Sequence, residues 1–311
     1  MRKVILLYNP QSGRRRGQRL ADVEAALTVL KQAGVEAAMA ETRGAAETGA
    51  QARHAIERGC DTVFACGGDG TVHDVLQGLV GTDATMGIIP LGTANSLAHD
   101  LGLPLRPEAA ARSALTAKPR RVAVGRVEYR DLSGLAASRY FTVAVGIGVD
   151  AHLFYKLNPA AKRRFGMAAY CARATHLWLT HPLEKFSVAL AEEGTTRRVE
   201  VSQLLAVRIG DFGGVLRELA PGASLDRNDL RFVFFHTRSR LAYLRYVIRG
   251  LVGAHWSVPG IELVNGTRAE CSSLNTRPES RIYLEADGEL LGTLPAKITM
   301  AEGRVNLLGP G

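Results

Sequence analysis

The chain has 311 residues and a formal net charge of +9, with 46% hydrophobic and 22% charged residues. This composition is typical of a globular protein of about two domains and excludes a disordered or collagen-like chain. The four cysteines form no CxxC pair, which predicts reduced thiols in the cytoplasm and argues against a disulfide scaffold or a metal cluster. No apolar run reaches the roughly 18 residues of a membrane-spanning helix, and the N-terminal MRKVILLYNP predicts a first strand rather than a signal peptide.

Short apolar runs and segments with helical spacing alternate through the first third of the chain. Strands are predicted at 3–8, 35–41, 62–66 and 85–90, and helices at 20–34, 45–58, 71–80 and 94–101. This repeated order favours a parallel sheet with helices on both faces. Because the ligands of such sheets bind at the carboxyl ends of the strands, the turns after these strands are the first candidates for a site.

After Pro119 the pattern changes to consecutive strands with few helices. Strands are predicted at 121–130, 140–149, 185–191, 198–208, 230–236, 268–273 and 281–286, and helices at 160–179 and 241–252. This order is typical of an antiparallel β-sandwich, so we place a domain boundary near residue 120. Because ligand sites often lie where two domains meet, we expect the active site in the cleft between them.

Four glycine-bearing turns follow predicted strands, three of them in the first domain. They are Asn9-Pro10-Gln11-Ser12-Gly13, Gly67-Gly68-Asp69-Gly70-Thr71, Pro90-Leu91-Gly92-Thr93-Ala94-Asn95 and Gly146-Ile147-Gly148-Val149-Asp150. Glycine either supplies the positive φ of a tight turn or lets the backbone approach a phosphate closely. Three such turns at one sheet edge, with helix N-termini predicted at Thr71 and Ala94, favour a polyphosphate site. Neither GxxxxGK[ST] nor GxGxxG occurs in the sequence, which excludes a P-loop enzyme and a dinucleotide fingerprint.

NPxSG, GGDGT, PLGTxN and a late Asp287-Gly288-Glu289, in this order and spacing, resemble the motifs of the diacylglycerol kinase catalytic family. This family includes bacterial lipid kinases and the sphingosine and ceramide kinases, and the resemblance runs nearly end to end. It implies an α/β nucleotide-binding domain with a parallel, phosphofructokinase-like sheet at 1–120. It further implies an all-β antiparallel sandwich that binds the lipid at 121–293, and a C-terminal tail, 294–311, that packs back on the first domain.

The resemblance also implies an activity, in which ATP and Mg²⁺ are used to phosphorylate a hydroxyl group of a diacylglycerol- or sphingosine-like lipid. The family's nucleotide contacts correspond to Asn9, Pro10, Ser12, Gly13, Thr42, Gly67, Gly68, Asp69, Gly70, Thr71, Thr93 and Asn95. Thr42 has an equally good explanation as the N-cap of the helix that starts at Ala45.

Three acidic residues are candidates for catalysis. Glu289 resembles the family's general base, which takes the proton of the attacking hydroxyl, although Asp287-Gly288 alone would indicate only a hairpin turn. Asp150 either orients the acceptor hydroxyl or caps a helix. Asp69, interpreted as an exposed turn carboxylate, would bind Mg²⁺ or one of its ligands.

The sequence departs from the family at two acidic positions. Ser96 stands where many members have Asp after PLGTxN, and Asp226-Arg227-Asn228 stands where many have Asp-Asp-Gly or Asn-Asp-Gly. Asp226 is then the remaining candidate metal ligand. Two alternatives stay open, namely a catalytically silent lipid- or nucleotide-binding homologue and a soluble-substrate kinase of the NAD kinase type, which shares GGDGT.

Arginine clusters carry much of the positive charge, and they predict an anionic partner. No helix-turn-helix, zinc-finger or RNP pattern accompanies them, so we expect no nucleic acid. We expect the partners to be anionic phospholipid headgroups and a lipid substrate at the membrane surface. The protein is then expected in the cytoplasm, associated peripherally with the inner face of the membrane. The segment 241–252 either lies on the bilayer or packs on the core, and a homodimer is left open.

Overall fold

The structure is a computed structural model that describes residues 1–12, 16–149, 180, 183–192, 195–213, 218–252, 257–274 and 281–309. The chain forms two compact units. The first unit contains Met1–Val124, Ile209–Arg217 and Ala301–Gly311, and the second contains Gly125–Arg208 and Glu218–Met300.

The first unit is built from alternating strands and helices. Its strands are Lys3–Tyr8 (β1), Glu36–Glu41 (β2), Thr62–Gly67 (β3) and Thr85–Pro90 (β4). Its helices are Arg19–Gln32 (α1), Ala45–Glu57 (α2), Asp69–Leu79 (α3), Ser96–Asp100 (α4) and Pro107–Thr116 (α5), and a 3₁₀ turn, Arg16–Gln18, precedes α1. The predicted order is confirmed, and α5 is an additional helix.

The sheet of this unit is parallel, with neighbouring strands in the order β4–β3–β1–β2. Every residue of β3 and β4 is buried, as expected for parallel strands that are covered on both faces. A fifth strand joins through the end of the chain, where Asn306 and Leu307 pair in parallel with Thr85 and Met86.

The second unit is rich in strands. They are Lys118–Asp131 (β5, which begins in the first unit), Ala136–Phe141 (β6), Ala144–Gly148 (β7), Phe186–Glu192 (β8), Thr195–Val201 (β9), Gln203–Val207 (β10), Leu230–Phe235 (β11), Ile261–Gly266 (β12), Arg268–Ser273 (β13), Tyr283–Ala286 (β14) and Glu289–Gly309 (β15, which ends in the first unit). The helix Arg240–Val252 (α6) lies between β11 and β12.

These strands form two layers around one core. One layer runs β12–β11–β10–β7–β14–β15, and the other joins β9, β8, β13, β15, β5 and β6. The pairings within the unit whose register is defined are antiparallel. Phe232 and Phe234 of the first layer and Phe141 and Phe186 of the second are buried in the same cluster, so the predicted antiparallel sandwich is confirmed.

Two predicted strands are each divided in two. The segment 140–149 is interrupted between β6 and β7, where the Thr142 and Val143 N–H groups donate to the Asp287 carboxylate. The segment 198–208 is interrupted at Ser202, whose hydroxyl donates to the Phe235 carbonyl. The predicted helix at 160–179 lies outside the described residues. In the part of the chain that the structure describes, no helix is long and apolar enough to cross a membrane.

Candidate active site

The carboxyl ends of β1 and β3 mark the point where the order of strands reverses. From β1 the chain continues to β2 on one side of the sheet and to β3 and β4 on the other. Such a switch point leaves a crevice at the carboxyl ends of the two central strands. Three of the four predicted turns follow β1, β3 and β4, so they meet at this edge of the sheet.

The turn after β1 is shaped by Asn9. Its N–H donates to the Cys66 carbonyl at 3.3 Å, and its side-chain oxygen accepts the Gln11 N–H at 2.8 Å. Ser12 follows, and its hydroxyl lies 3.3 Å from the Thr71 hydroxyl of α3. The first two turns are therefore in direct contact. Pro10 lies in this turn, and Gly13 lies outside the described residues.

Thr42 lies just beyond β2 at the same sheet edge, where its N–H donates to the Tyr8 carbonyl at 2.9 Å. The N-cap position of α2 is held by Gly44, and no side chain caps it. The interpretation of Thr42 as the N-cap of α2 is therefore wrong, because the chain needs two more residues to turn from β2 into the helix.

The glycines after β3 allow close packing rather than positive φ. Gly68 has φ −93° and ψ −169°, and neither Gly67 nor Gly70 has a positive φ. A Cβ placed on Gly92 would lie 2.4 Å from the Gly68 Cα, and one on Gly67 would lie 2.2 Å from the Thr71 hydroxyl oxygen. The backbones of the second and third turns thus touch, and a side chain at Gly92 would separate them.

Asp69 joins the second and third turns. Helix α3 begins at Asp69 rather than at the predicted Thr71. Asp69 Oδ2 accepts the Asn95 N–H at 3.0 Å, and Oδ1 accepts the Ser96 N–H at 2.6 Å. Asp69 is half-buried rather than exposed as predicted. Its two hydrogen bonds hold the start of α4.

Asn95 closes the third turn. It adopts the left-handed conformation, with φ 53° and ψ 47°, and is buried. Its Oδ1 accepts the Gly92 N–H at 2.8 Å, and its Nδ2 donates to the Gly92 carbonyl at 3.2 Å. Thr93 and Ala94, between these two residues, are exposed, so the turn presents its backbone and the Thr93 hydroxyl outward.

A cavity of about 580 Å³ lies beside this third turn. Arg19 of α1, Arg106 at the start of α5 and His99 of α4 line it together with the turn residues. Arg19 is buried and pairs with Asp22 at 3.3 Å. Sequence reasoning missed both arginines, because they are 87 positions apart and belong to no motif.

The far end of α4 is fixed by Asp100. Its Oδ1 accepts the N–H groups of Gly210 at 2.8 Å and Asp211 at 3.0 Å. Burial raises the pKa of the Asp100 carboxyl above its ordinary value, and these two hydrogen bonds oppose that change. Both ends of α4 are thus held by aspartates, Asp69 and Asp100.

In the second unit, Asp287 and Gly288 form the two-residue loop of the β14–β15 hairpin. Their φ angles, 49° and 84°, are both positive, as a type I′ turn requires. Asp287 is only 6% exposed, and its carboxylate accepts the N–H groups of Thr142, Val143 and Ala144 at 2.9–3.1 Å. The aspartate of the DGE motif therefore fixes the connection between β6 and β7.

Glu289 is exposed at the first position of β15, directly after this loop. Asp150, the second catalytic candidate in this unit, lies outside the described residues, which reach Val149 on that side. Asp226 lies on an exposed turn, where its N–H donates to the Ser224 hydroxyl at 3.2 Å.

Comparison with known proteins assigns both parts of the chain. Residues 3–127 match the family model described as the diacylglycerol kinase catalytic domain. Residues 143–309 match the model described as the YegS C-terminal NAD kinase beta sandwich-like domain. The chain belongs to the diacylglycerol kinase family.

Individual relatives of this family span the whole chain. A diacylglycerol kinase of Mycobacterium tuberculosis is 31% identical, with 99% of this chain and 95% of the relative covered. One of Bacillus subtilis is 26% identical, with 100% and 97% covered. The crystal structure of a diacylglycerol kinase from Bacillus anthracis has a TM-score of 0.70 at 19% identity, with 99% and 96% covered, and shows the same fold.

The two departures from the diacylglycerol kinase motifs now have structural settings. Ser96 contributes its backbone N–H to Asp69, a contact that its side chain does not enter. Arg227 pairs with Asp229 through two hydrogen bonds of 2.5 and 2.6 Å on the surface. Among the described residues, no group of three or more His, Cys, Asp or Glu side chains could hold a metal ion.

Proposed function

We propose that this protein is an ATP-dependent lipid kinase that transfers the γ-phosphate of ATP to a hydroxyl group of a diacylglycerol- or sphingosine-like lipid. The observation that carries the proposal is the meeting of three turns at the switch point of the first unit, where the Gly68 and Gly92 backbones touch. Names of full-length relatives support a lipid acceptor and disfavour the soluble substrate of an NAD kinase.

The nucleotide would bind to the first unit, at Met1–Val124 together with the tail Ala301–Gly311. Backbone N–H groups of the turns and the Ser12, Thr71 and Thr93 hydroxyls would hold its phosphates, since such donors at a strand edge attract anions. Arg19 and Arg106 line the cavity beside the third turn, where the carboxylates of Asp22 and Glu108 oppose their positive charge.

Magnesium would supply charge neutralisation on the phosphates when it is bound. In nucleotide sites Mg²⁺ is commonly held by one or two carboxylates together with the phosphates, and a pre-formed cluster of protein ligands is not needed. In this chain the exposed carboxylate of Asp226 would be such a ligand. Because Asp69 accepts two backbone N–H groups, we assign it to positioning the third turn.

The acceptor lipid would bind to the second unit, which contains Gly125–Arg208 and Glu218–Met300. We assign to Glu289 the role of general base, because its carboxylate is exposed at the end of a hairpin whose loop is fixed by Asp287. It would take the proton of the attacking hydroxyl, while Asp150 would orient that hydroxyl.

Comparison of two glycine variants tests the proposal. Gly92→Ala would place a Cβ 2.4 Å from the Gly68 Cα, whereas Gly17→Ala meets no atom within 4 Å. We expect Gly92→Ala to lose ATP binding by calorimetry and phosphate transfer to a lipid panel, and Gly17→Ala to keep both. Normal ATP binding and transfer by the Gly92→Ala variant would contradict the proposal. Binding of ATP by the wild type without transfer to any lipid would favour the silent homologue.

A further inference from the structure

Helix α6 has an inner face that packs on the second unit. Tyr243 and Tyr246 lie against Phe235, with ring centroids 4.6 and 5.1 Å apart, and the Tyr243 hydroxyl is 2.8 Å from the Ser202 hydroxyl. Arg249 is buried, with its guanidinium 4.4 Å from the centre of the Tyr246 ring. These contacts fix the rotation of the helix about its axis.

The opposite face of α6, which we call the outer face, is also apolar. It consists of Leu241, Leu244, Val247, Ile248, Leu251 and Val252, which are 41–62% exposed. Their spacing of three and four residues places them in one stripe along the helix. Six of the twelve large hydrophobic residues that are exposed in the described chain lie on this helix, so they are not scattered surface residues.

Within the segment that contains α6, the charged residues have one sign. The segment 236–252 contains four arginines and no aspartate or glutamate. Of these, Arg238 before the helix and Arg245 beside the stripe are exposed. An apolar stripe flanked by arginines matches an anionic lipid bilayer, in which anionic headgroups lie above the apolar acyl chains. A twofold contact with a second copy would instead bring arginines of the two helices together without an acidic residue in either helix to pair with them.

The inner contacts also connect α6 to the end of β7. Gln203, next to Ser202, pairs with Gly148 at the last position of β7. A Cβ on Gly148 would lie 2.8 Å from the Ser202 carbonyl oxygen, so these backbones are in close contact. The inner face of α6 is therefore linked through Ser202 and Gln203 to the end of β7, which precedes Asp150, the residue to which we assign the acceptor hydroxyl.

We propose that the outer face of α6 docks the protein on an anionic lipid bilayer. The six aliphatic side chains enter the boundary between headgroups and acyl chains, and Arg238 and Arg245 remain among the phosphates. This inference rests on the proposed function, because a kinase that acts on a lipid must meet its acceptor at a bilayer.

Cosedimentation with vesicles of phosphatidylcholine, with and without phosphatidylglycerol, tests the docking. The variant Leu244→Ser/Ile248→Ser should bind anionic vesicles at least about tenfold more weakly than the wild type, because two aliphatic side chains are lost from the bilayer. Its matched control is Leu132→Ser/Leu135→Ser, which changes two exposed leucines of the β5–β6 loop and should bind normally. Thermal unfolding checks that each variant is folded, and the single substitutions Leu244→Ser and Ile248→Ser replace the double one if it is not.

The contribution of charge is tested with Arg245→Gln. We expect about fivefold weaker binding to anionic vesicles and unchanged binding to neutral ones, as for one arginine removed from an anionic surface. The exposed Arg121→Gln is the control. Equal binding by the wild type and both α6 variants, or no vesicle binding by the wild type, would overturn the docking. The docking would also be overturned if Leu244→Ser/Ile248→Ser left vesicle binding unchanged but converted a dimer to a monomer. The outer face would then pair with a second copy of the chain.

Turnover separates this inference from the proposed function. With a diacylglycerol embedded in vesicles, the leucine variant should lose activity in proportion to its binding, and with a short-chain diacylglycerol dispersed in water it should match the wild type. Full activity of this variant on embedded lipid would overturn the docking and leave the kinase proposal intact. If the wild type binds vesicles through α6 but transfers no phosphate, the docking is supported and the kinase proposal is contradicted.

Discussion

Asp69 and Ser96 are joined by a hydrogen bond of 2.6 Å, which the Ser96 N–H donates to the Asp69 carboxylate. The Asn95 N–H donates to the other carboxylate oxygen. The start of α3 thus holds the start of α4, and with it the turn that contains Gly92 and Thr93. The aspartate of the GGDGT motif therefore has a structural role that does not depend on a metal ion.

We predict that Asp69→Ala lowers the free energy of unfolding by about 1–3 kcal/mol, because two backbone N–H groups lose a charged acceptor. It should also weaken ATP binding, since the third turn is no longer held. Denaturant unfolding and calorimetry measure the two effects. The exposed Asp83→Ala is the control and should stay within about 0.5 kcal/mol of the wild type. Wild-type stability of the Asp69→Ala variant would contradict this role.

Asp287 and Glu289 should differ in what their substitution affects. We predict that Asp287→Ala lowers the free energy of unfolding by about 3 kcal/mol, because a buried carboxylate that accepts three N–H groups is removed. Glu289→Gln, two residues along, should change stability by less than about 0.5 kcal/mol, since this side chain is exposed. Equal effects of the two substitutions in denaturant unfolding would show that Asp287 does not hold the β6–β7 connection.

The general-base assignment is tested by the kinetics of Glu289→Gln. We predict that kcat falls about 10²–10⁴-fold, the usual contribution of a positioned proton acceptor, with little change in the KM for ATP or lipid. Steady-state kinetics with both substrates varied would measure this. A collapse of ATP binding would instead identify Glu289 as a metal or structural residue, and unchanged kinetics would reduce it to a hairpin residue.

The sequence predicted the first unit well because its strands are continuous apolar runs and its turns contain glycine. The meeting of the three turns was also predictable, since the carboxyl ends of parallel strands share one edge. Helix α5 was missed because its buried face consists of Ala110, Ala111 and Ala114, which give no strong apolar periodicity.

The hydrogen bonds that hold the site could not be predicted in the same way. Asp287 binds backbone groups up to 145 positions away, and Asp69 binds groups 26 and 27 positions away. Backbone N–H groups have no sequence signature, so an aspartate in a motif suggests chemistry at its own position rather than support for a distant turn. For the same reason the Gly92–Gly68 contact could not be predicted, because the glycines suggested only a positive φ or a close approach of the backbone to a phosphate.

The pH dependence of stability should show the effect of Asp100. Because burial raises its pKa, the folded protein binds this proton more tightly than the unfolded chain does. Its contribution to stability therefore decreases as the pH rises from the ordinary value of 3.8 through the raised pKa. Asp100→Asn keeps an acceptor oxygen without the charge, so we predict that its stability relative to the wild type increases from about pH 4 to about pH 7. The exposed Asp83→Asn is the control, and a difference for Asp100→Asn that does not vary with pH would contradict the prediction.

The most direct test of the account is phosphate transfer by the wild-type protein. ATP labelled in its γ-phosphate is incubated with the protein, Mg²⁺ and vesicles that contain diacylglycerol or sphingosine, and the lipids are separated by chromatography. We predict that label appears in a phosphorylated lipid and disappears when Glu289→Gln replaces the wild type. Label that stays in ATP or passes only to inorganic phosphate, while the protein binds ATP, would contradict it.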